Sequence, residues 1–330
     1  MYTSQQLIQC FGEYQHDDAF RLNLGLPEHV IERADIAGRE ASTQKNLSYE
    51  SFEDIDSAQG TTNFRQMVDL LEKFELYGCL PDLRGLGLEL GSGIGILSCA
   101  MLSRFSSVAI NGILAVEAVP SFVSSGITTA GKETLKENYY KLLPCYGIFE
   151  SVDIEDNQID FIIQIESLHH ATDLRVAIKE AHRILKPGGL LVSIDRSWPN
   201  KVTDDFLNRL LNHEYEQEWL DKRGFPKDKI KTRRDNGEHE YRDSEWKDAF
   251  EESGFEKLFF LPFHPKLKAW HLAKRFLGLI GLSKLFNSPA RPGMFRGLLC
   301  QALKINPLKL RAMPITNHPR ALTYMVYQKK

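Results

Sequence analysis

Apolar positions follow two rhythms along this chain. Short continuous apolar runs, bounded by Gly, Pro or Asp, read as buried strands at Leu86–Leu90, Gly112–Glu117, Asp160–Ile165 and Leu190–Arg196. Between them, apolar residues recur at helical spacing. Phe64, Met67, Val68, Leu71 and Phe74 share one face of a helix predicted over Thr62–Leu76. A second helix is predicted over Leu174–Leu185, stopped by Lys186-Pro187-Gly188-Gly189, and a third over Ser244–Ser253, closed by Gly254 with Asp243 or Ser244 as N-cap. Two late strands follow, Lys257–Phe263 and Leu322–Tyr327. Strands alternating with helices predict an α/β domain with a mainly parallel sheet. Residues 1–60 are polar with few periodic signals.

The first strand ends in chemistry. Leu86–Ser98 runs through an acid, Glu89, into Gly91-Ser92-Gly93-Ile94-Gly95 and then a small, apolar helix start. A strand, a Gly-rich turn and a helix present backbone N–H groups where a cofactor can approach closely. The spacing is E-x-G-x-G-x-G. A dehydrogenase fingerprint, G-x-G-x-x-G, has no acid just before its first Gly. Glu117 ends the next strand, 22 residues beyond Gly95. A carboxylate there accepts from ribose hydroxyls or is an ordinary exposed Glu after a strand. The third strand leaves through Glu166-Ser167-Leu168-His169-His170, a polar cluster at a carboxyl end.

The ordered set, down to R-I-L-K-P-G-G-L-L-V, resembles class I S-adenosylmethionine (SAM) methyltransferases of the type 11 kind over residues 86–262. The segment Asn236-Gly-Glu-His-Glu-Tyr-Arg242 is similar to members of bacterial polysaccharide and secondary-metabolite gene clusters. The resemblance implies a Rossmann-like, doubly wound sheet of seven strands with the last antiparallel, plus substrate-side insertions. It implies SAM as cofactor, S-adenosylhomocysteine (SAH) as product, and contacts from Glu89, Gly91, Ser92, Gly93, Gly95, Glu117, Phe149, Glu150 and Ile165. One position departs from the family: Ile148 stands where an Asp often accepts from the adenine amino group. Either Glu150 substitutes or backbone groups alone hold the adenine.

The division that follows is an N-terminal helical cap (1–80), a SAM-binding core (81–197), an insertion over the active site (198–243), core continued (244–263), a basic insertion (264–320) and a final strand (321–330). Methylating a hydroxyl requires alignment with the sulfonium methyl and removal of a proton. His suits that role near neutral pH. The candidates are His239, His170 and His169, with Glu166 and Glu238 as orienting groups or alternative bases. Adjacent residues leaving a strand point apart, so at most one His of the pair is expected to face the pocket, with the other packing or capping the next helix. Asp195 and Arg196 end the fourth strand, forming either an ion pair on the rim or a hold on an anionic acceptor group. Arg234 joins them as an acceptor-binding candidate. No His, Cys and Asp set has metal-ligand spacing.

Charge sharpens the picture. The net charge is −3, yet Lys257–Lys330 holds 14 Lys and Arg and no Asp or Glu. Such asymmetry suggests an anionic partner. Lys266–Phe286 reads as a basic amphipathic helix, lying on an anionic membrane or packing on the core. Five scattered cysteines without C-x-x-C spacing suggest reduced thiols and a cytoplasmic protein, with peripheral contact at the inner membrane face if 257–330 binds lipid. Met1–Gln9 lacks the pattern of a signal peptide. The leading expectation is methyl transfer to a hydroxyl or amine of a sugar or related metabolite, free or linked to a lipid carrier. A natural-product methyltransferase and a non-catalytic SAM- or SAH-binding subunit are the alternatives. Nucleic acid is disfavoured, because the S-L-H-H exit lacks the N/D-P-P-Y/F signature and no RNA module is recognised.

Overall fold

The computed structural model describes residues 1–46, 64–76, 78–105, 109–223, 225–226, 229–263 and 322–330. The predicted helix over Lys266–Phe286 lies outside them. Eight strands form one sheet: β1 (Leu22–Asn23), β2 (Gly85–Leu90), β3 (Ile110–Glu117), β4 (Leu142–Tyr146), β5 (Ile159–Ile165), β6 (Leu185–Arg196), β7 (Phe255–Phe263) and β8 (Leu322–Lys329). Their order is β1-β4-β3-β2-β5-β6-β8-β7. Only β8 runs antiparallel to its neighbours, β6 and β7. The strand count exceeds the expected seven by β1, whose two residues pair with Cys145 and Tyr146 and are too short to carry a periodic signal. From β2 the chain winds outward through β3 and β4, then returns to β5 on the other side. The reversal opens a crevice at the carboxyl ends of β2 and β5, where ligands bind in such sheets.

Helices cover both faces. One face takes α1 (Ser4–His16), α7 (Leu174–Ile184) and α10 (Asp243–Glu252), through Leu7, Phe11, Ile178 and Trp246. The other takes α4 (Phe64–Leu76), α5 (Ile96–Phe105) and α6 (Ile127–Leu135), through Met67, Phe74, Leu97 and Ile127. Strand β8 anchors both layers. Tyr324 stacks on Phe74 at 4.0 Å and Tyr327 stacks on Phe250 at 3.8 Å.

The N-terminal segment does more than cap. Thr3 accepts from the Gln6 N–H while Gln6 accepts from the Thr3 N–H, starting α1. The Phe11 ring fills the place a Gly112 side chain would occupy, 2.5 Å from a built Cβ. Short α2 (Glu28–Ile31) leads to α3 (Ala34–Asn46). Residues 198–243 carry α8 (Asp204–Leu211) and α9 (Gln217–Arg223). The start of α10 differs from expectation. Neither Asp243 nor Ser244 caps it: Glu245 accepts from the Arg242 N–H at 2.7 Å, and Asn200 accepts from the Ser244 N–H at 2.8 Å. Strand β6 begins at Leu185 rather than Leu190, with the Pro-Gly-Gly kink inside it.

Candidate active site

The Gly-rich turn leaves β2 with Gly91, Gly93 and Gly95 at φ of +66°, +54° and +80°. A Cβ on Gly91 would stand 2.6 Å from Ser167 Cβ and 2.9 Å from the Phe149 ring, so a side chain there would fill the crevice between the turn and the β5 exit. Glu117, almost fully buried, accepts from the N–H groups of Gly93 at 2.8 Å, Ala118 at 2.8 Å and Val119 at 3.1 Å. Burial pushes its carboxyl up, against those donors and the Arg39 charge. Ser92 N–H donates to the Val116 carbonyl at 3.0 Å, tying the turn to β3. A carboxylate beside glycine N–H groups fits a ribose and its attached chain.

Glu89 is bonded to α5. It is 1% exposed and accepts from the Ser98 hydroxyl and, at 3.2 Å, the Ser98 N–H on α5. Burial pushes its carboxyl up to about 8, against the Ser98 donors. Glu150 accepts from the Thr172 N–H at 2.5 Å, pinning the turn after the histidines. Ile165 lies half-buried at the end of β5.

The β5 exit carries the densest chemistry. Gln164 accepts from the Ser167 hydroxyl at 2.9 Å, and that hydroxyl also reaches the Leu90 carbonyl at 2.7 Å, joining the exit to the end of β2. Glu166 stands at φ +46°, a left-handed conformation costly for a side-chain-bearing residue. Leu168–His170 then forms one 3-10 turn. A turn does not alternate its side chains as a strand does, and the two imidazoles lie side by side, 4.3 Å apart, His169 buried and His170 half-buried. Neither histidine caps α7; Asp173 does, accepting from Arg175 N–H at 2.8 Å.

His169 is buried, and its Nδ1 lies 2.6 Å from Asp195 Oδ1. Asp195 also accepts from the Arg196 N–H at 2.7 Å. Burial pushes Asp195 up to about 6, and burial together with Arg196 holds His169 well below the ordinary histidine value. Above pH 6 the pair is therefore a neutral imidazole donating from Nδ1 to a carboxylate, which leaves the lone pair on Nε2. His239 donates its N–H to the His169 carbonyl at 2.8 Å, and its Nδ1 stands 3.2 Å from the same oxygen.

Arg196 is neither on the rim nor open to solvent. It is buried and reaches Glu238 at 2.8 Å and Glu240 at 3.1 Å, both also held by Arg233. Trp198 Nε1–H, Tyr215 O–H and Asn236 Nδ2–H complete the shell of the two carboxylates. Burial would raise Glu238, but Arg196, the two histidines and the Tyr215 hydroxyl together outweigh it and hold the carboxyl at about 2; Glu240, deeper, is raised by burial. This cluster clamps the insertion to β6. Arg234 is not brought in: it faces outward onto Asn208 and Asn212 at 3.0 Å each.

Sequence reasoning passed over α3. Its Arg39 stands 2.9 Å from His170 Nε2, Glu40 accepts from the Ser121 N–H at 2.8 Å, and Arg33 reaches the Thr172 hydroxyl at 3.1 Å. Gly38 lies so close to Ile230 that a Cβ would meet it at 2.3 Å. Helix α3 thus bridges the loop after β3, the histidine turn and the insertion.

Residues 88–193 match the model of a family described as a methyltransferase domain. The chain carries a class I SAM-dependent methyltransferase domain. SAM is the cofactor of such a domain, and Gly91, Gly93, Glu117 and Ser167, at the carboxyl ends of β2, β3 and β5, are the residues that would hold it. The chain is 28% identical over 166 residues to a demethylmenaquinone methyltransferase of Staphylococcus haemolyticus, covering 45% of this chain and 62% of that protein. It is 28% identical over 144 residues to a ubiquinone biosynthesis O-methyltransferase of Bradyrhizobium diazoefficiens, covering 43% and 50%. The alignments thus span under two thirds of these relatives. Among solved structures, a phosphoethanolamine N-methyltransferase 2 of Haemonchus contortus, in complex with SAM, is 13% identical with TM-score 0.47 over 86% of this chain and 58% of that one.

Proposed function

We propose that this methyltransferase domain catalyses methyl transfer from SAM to a hydroxyl of a small, polar acceptor, with His169 as the base that takes the hydroxyl proton. The observation that carries this reading is the buried His169–Asp195 pair beside the Gly-rich turn. A neutral imidazole oriented by a carboxylate is the group that a hydroxyl acceptor needs and a free amine does not. A positioned base of this kind contributes about 10²–10⁴-fold. His170 and His239 line the same turn and shape the acceptor side, while Glu238 orients Arg196 and Glu166 holds the β5 exit.

For the acceptor, a sugar or related metabolite is the reading we favour. Support comes from the sequence of Lys257–Lys330, which holds 14 Lys and Arg and no Asp or Glu and suits an acceptor linked to a phosphorylated lipid carrier. No helix among the described residues is long and apolar enough to cross a membrane. On this reading any contact with a bilayer is made through the basic stretch.

The test is label transfer from methyl-labelled SAM to matched acceptors differing only in hydroxyl or amine. Hydroxyl acceptors should be labelled, and His169→Asn should cost them about 10²-fold or more. Labelling of amines alone, unaffected by His169→Asn, would overturn the assignment. Sedimentation with anionic vesicles, reversed by salt, tests the lipid reading separately.

A further inference from the structure

Strand β5 runs Phe161-Ile-Ile-Gln-Ile165, and the one polar side chain in that run, Gln164, is fully buried. A buried amide is costly unless it is hydrogen-bonded, whereas an apolar side chain of the same size would fill the position at little cost. The bonds that Gln164 makes are therefore its distinctive contribution.

Those bonds fix which way the amide faces. The Ser167 N–H, which can only donate, lies 3.2 Å from Gln164 Oε1. The Ser167 hydroxyl shares its single proton between the same oxygen at 2.9 Å and the Leu90 carbonyl at 2.7 Å. Nε2 is left to donate on the other side, and it does so to the Ser193 hydroxyl. Ser193 is the cross-strand partner of Gln164 on β6. Asp195 follows two residues later, on the same face of the sheet.

Ser167 opens the turn that carries the histidines, its carbonyl accepting from the His170 N–H at 2.9 Å. Two residues after Ser167, His169 meets Asp195 twice, through its N–H at 3.3 Å and through Nδ1 at 2.6 Å. Gln164, Ser167, His169, Ser193 and Asp195 are all buried. One amide thus spans the turn that bears the imidazole and the strand that bears the carboxylate. A displacement of that turn against β6 changes both His169–Asp195 contacts at once.

We propose that Gln164 is a positioning residue for the His169–Asp195 pair, its amide setting the turn that carries the imidazole against the strand that carries the carboxylate. The inference deepens the reading of His169 as the base and rests on it for its bearing on catalysis. Through Ser167 and Leu90 the same amide also references the pair to the Gly-rich turn, so that base and cofactor share one frame.

Proton NMR on the full chain reads the pair without an acceptor. A hydrogen bond as short as that from His169 Nδ1–H to Asp195 moves its proton far downfield, and the resonance is assigned by its loss in His169→Asn. Gln164→Met keeps the volume and removes the amide's bonds on both sides. Folding should be retained, with a lower melting temperature because the Ser167 N–H loses its acceptor. SAH affinity by calorimetry should hold, and the resonance should shift upfield or vanish. Ser193→Ala, which removes only the acceptor of Nε2, should move it in the same direction, and the double variant should move it no further than Gln164→Met. An unmoved resonance in Gln164→Met, or additive shifts in the double variant, would overturn the proposal. Should Gln164→Met fail to fold, Ser193→Ala carries the test, and an unmoved resonance there overturns it equally. Wild-type methyl transfer to a hydroxyl acceptor by His169→Asn would instead overturn the base assignment and leave the positioning result standing.

Discussion

Gly91 and Ser167 lie so close that no side chain fits between them: a Cβ on Gly91 would stand 2.6 Å from Ser167 Cβ. The contact joins the turn after β2 to the turn after β5. Cofactor crevice and candidate base are thereby set by one junction, reinforced by the Ser167 hydroxyl on the Leu90 carbonyl at 2.7 Å.

Gly91→Ala tests that junction. Alanine at φ +66° carries left-handed strain of about 1–2 kcal/mol, and the methyl group must also push Ser167 or the Phe149 ring aside. We expect lower thermal stability together with loss of SAH binding, read by melting with and without SAH. A variant that melts lower but binds SAH normally would separate the junction from the cofactor crevice.

Arg196→Met tests the clamp on the insertion. The substitution leaves Glu238 and Glu240 buried with one guanidinium instead of two. Breaking a buried pair from one side costs about 3–5 kcal/mol. Urea unfolding should show a loss of that order. Arg196→Lys should recover only part, because a point charge cannot serve both carboxylates as the planar fork does. A loss under about 1 kcal/mol would mean that Arg233 alone holds the cluster.

Glu89 gives a pH signature. Its folded value of about 8 is raised above the ordinary carboxylate value of 4.5 by burial. The folded state therefore binds more protons than the unfolded state between those limits. Its contribution is fully present below about pH 4.5 and is lost as pH rises through about 8. Wild-type stability should accordingly fall relative to Glu89→Gln across pH 5–8, followed by melting temperature in both proteins. Parallel profiles would show that Glu89 is ionised throughout.

Much of this was legible before any coordinates. The Gly-rich turn, Glu117 and the β5 exit are local in sequence, and each follows from a strand meeting glycine or a polar cluster. What was hidden depends on long-range closure. Asp195 and Arg196 are neighbours with opposite fates: one turns to His169, 26 residues earlier in the chain, and the other to Glu238, 42 residues later. No spacing rule places Arg39, whose contact with His170 spans 131 residues. The side-by-side placement of His169 and His170 follows from a 3-10 turn, where the alternation of a strand fails. Glu89 and Arg234 were chosen by residue type, and packing sent one into the core and the other to the surface.

The central claim is that His169, oriented by Asp195, removes the acceptor proton. Single-turnover methyl transfer to a hydroxyl acceptor, with SAH affinity taken on the same preparations, tests it most directly. His169→Asn should lower the rate about 10²–10⁴-fold with SAH affinity nearly intact, Asp195→Asn should cost a comparable factor through loss of the working tautomer, and His239→Asn should cost less. Wild-type rates in both His169→Asn and Asp195→Asn would contradict it.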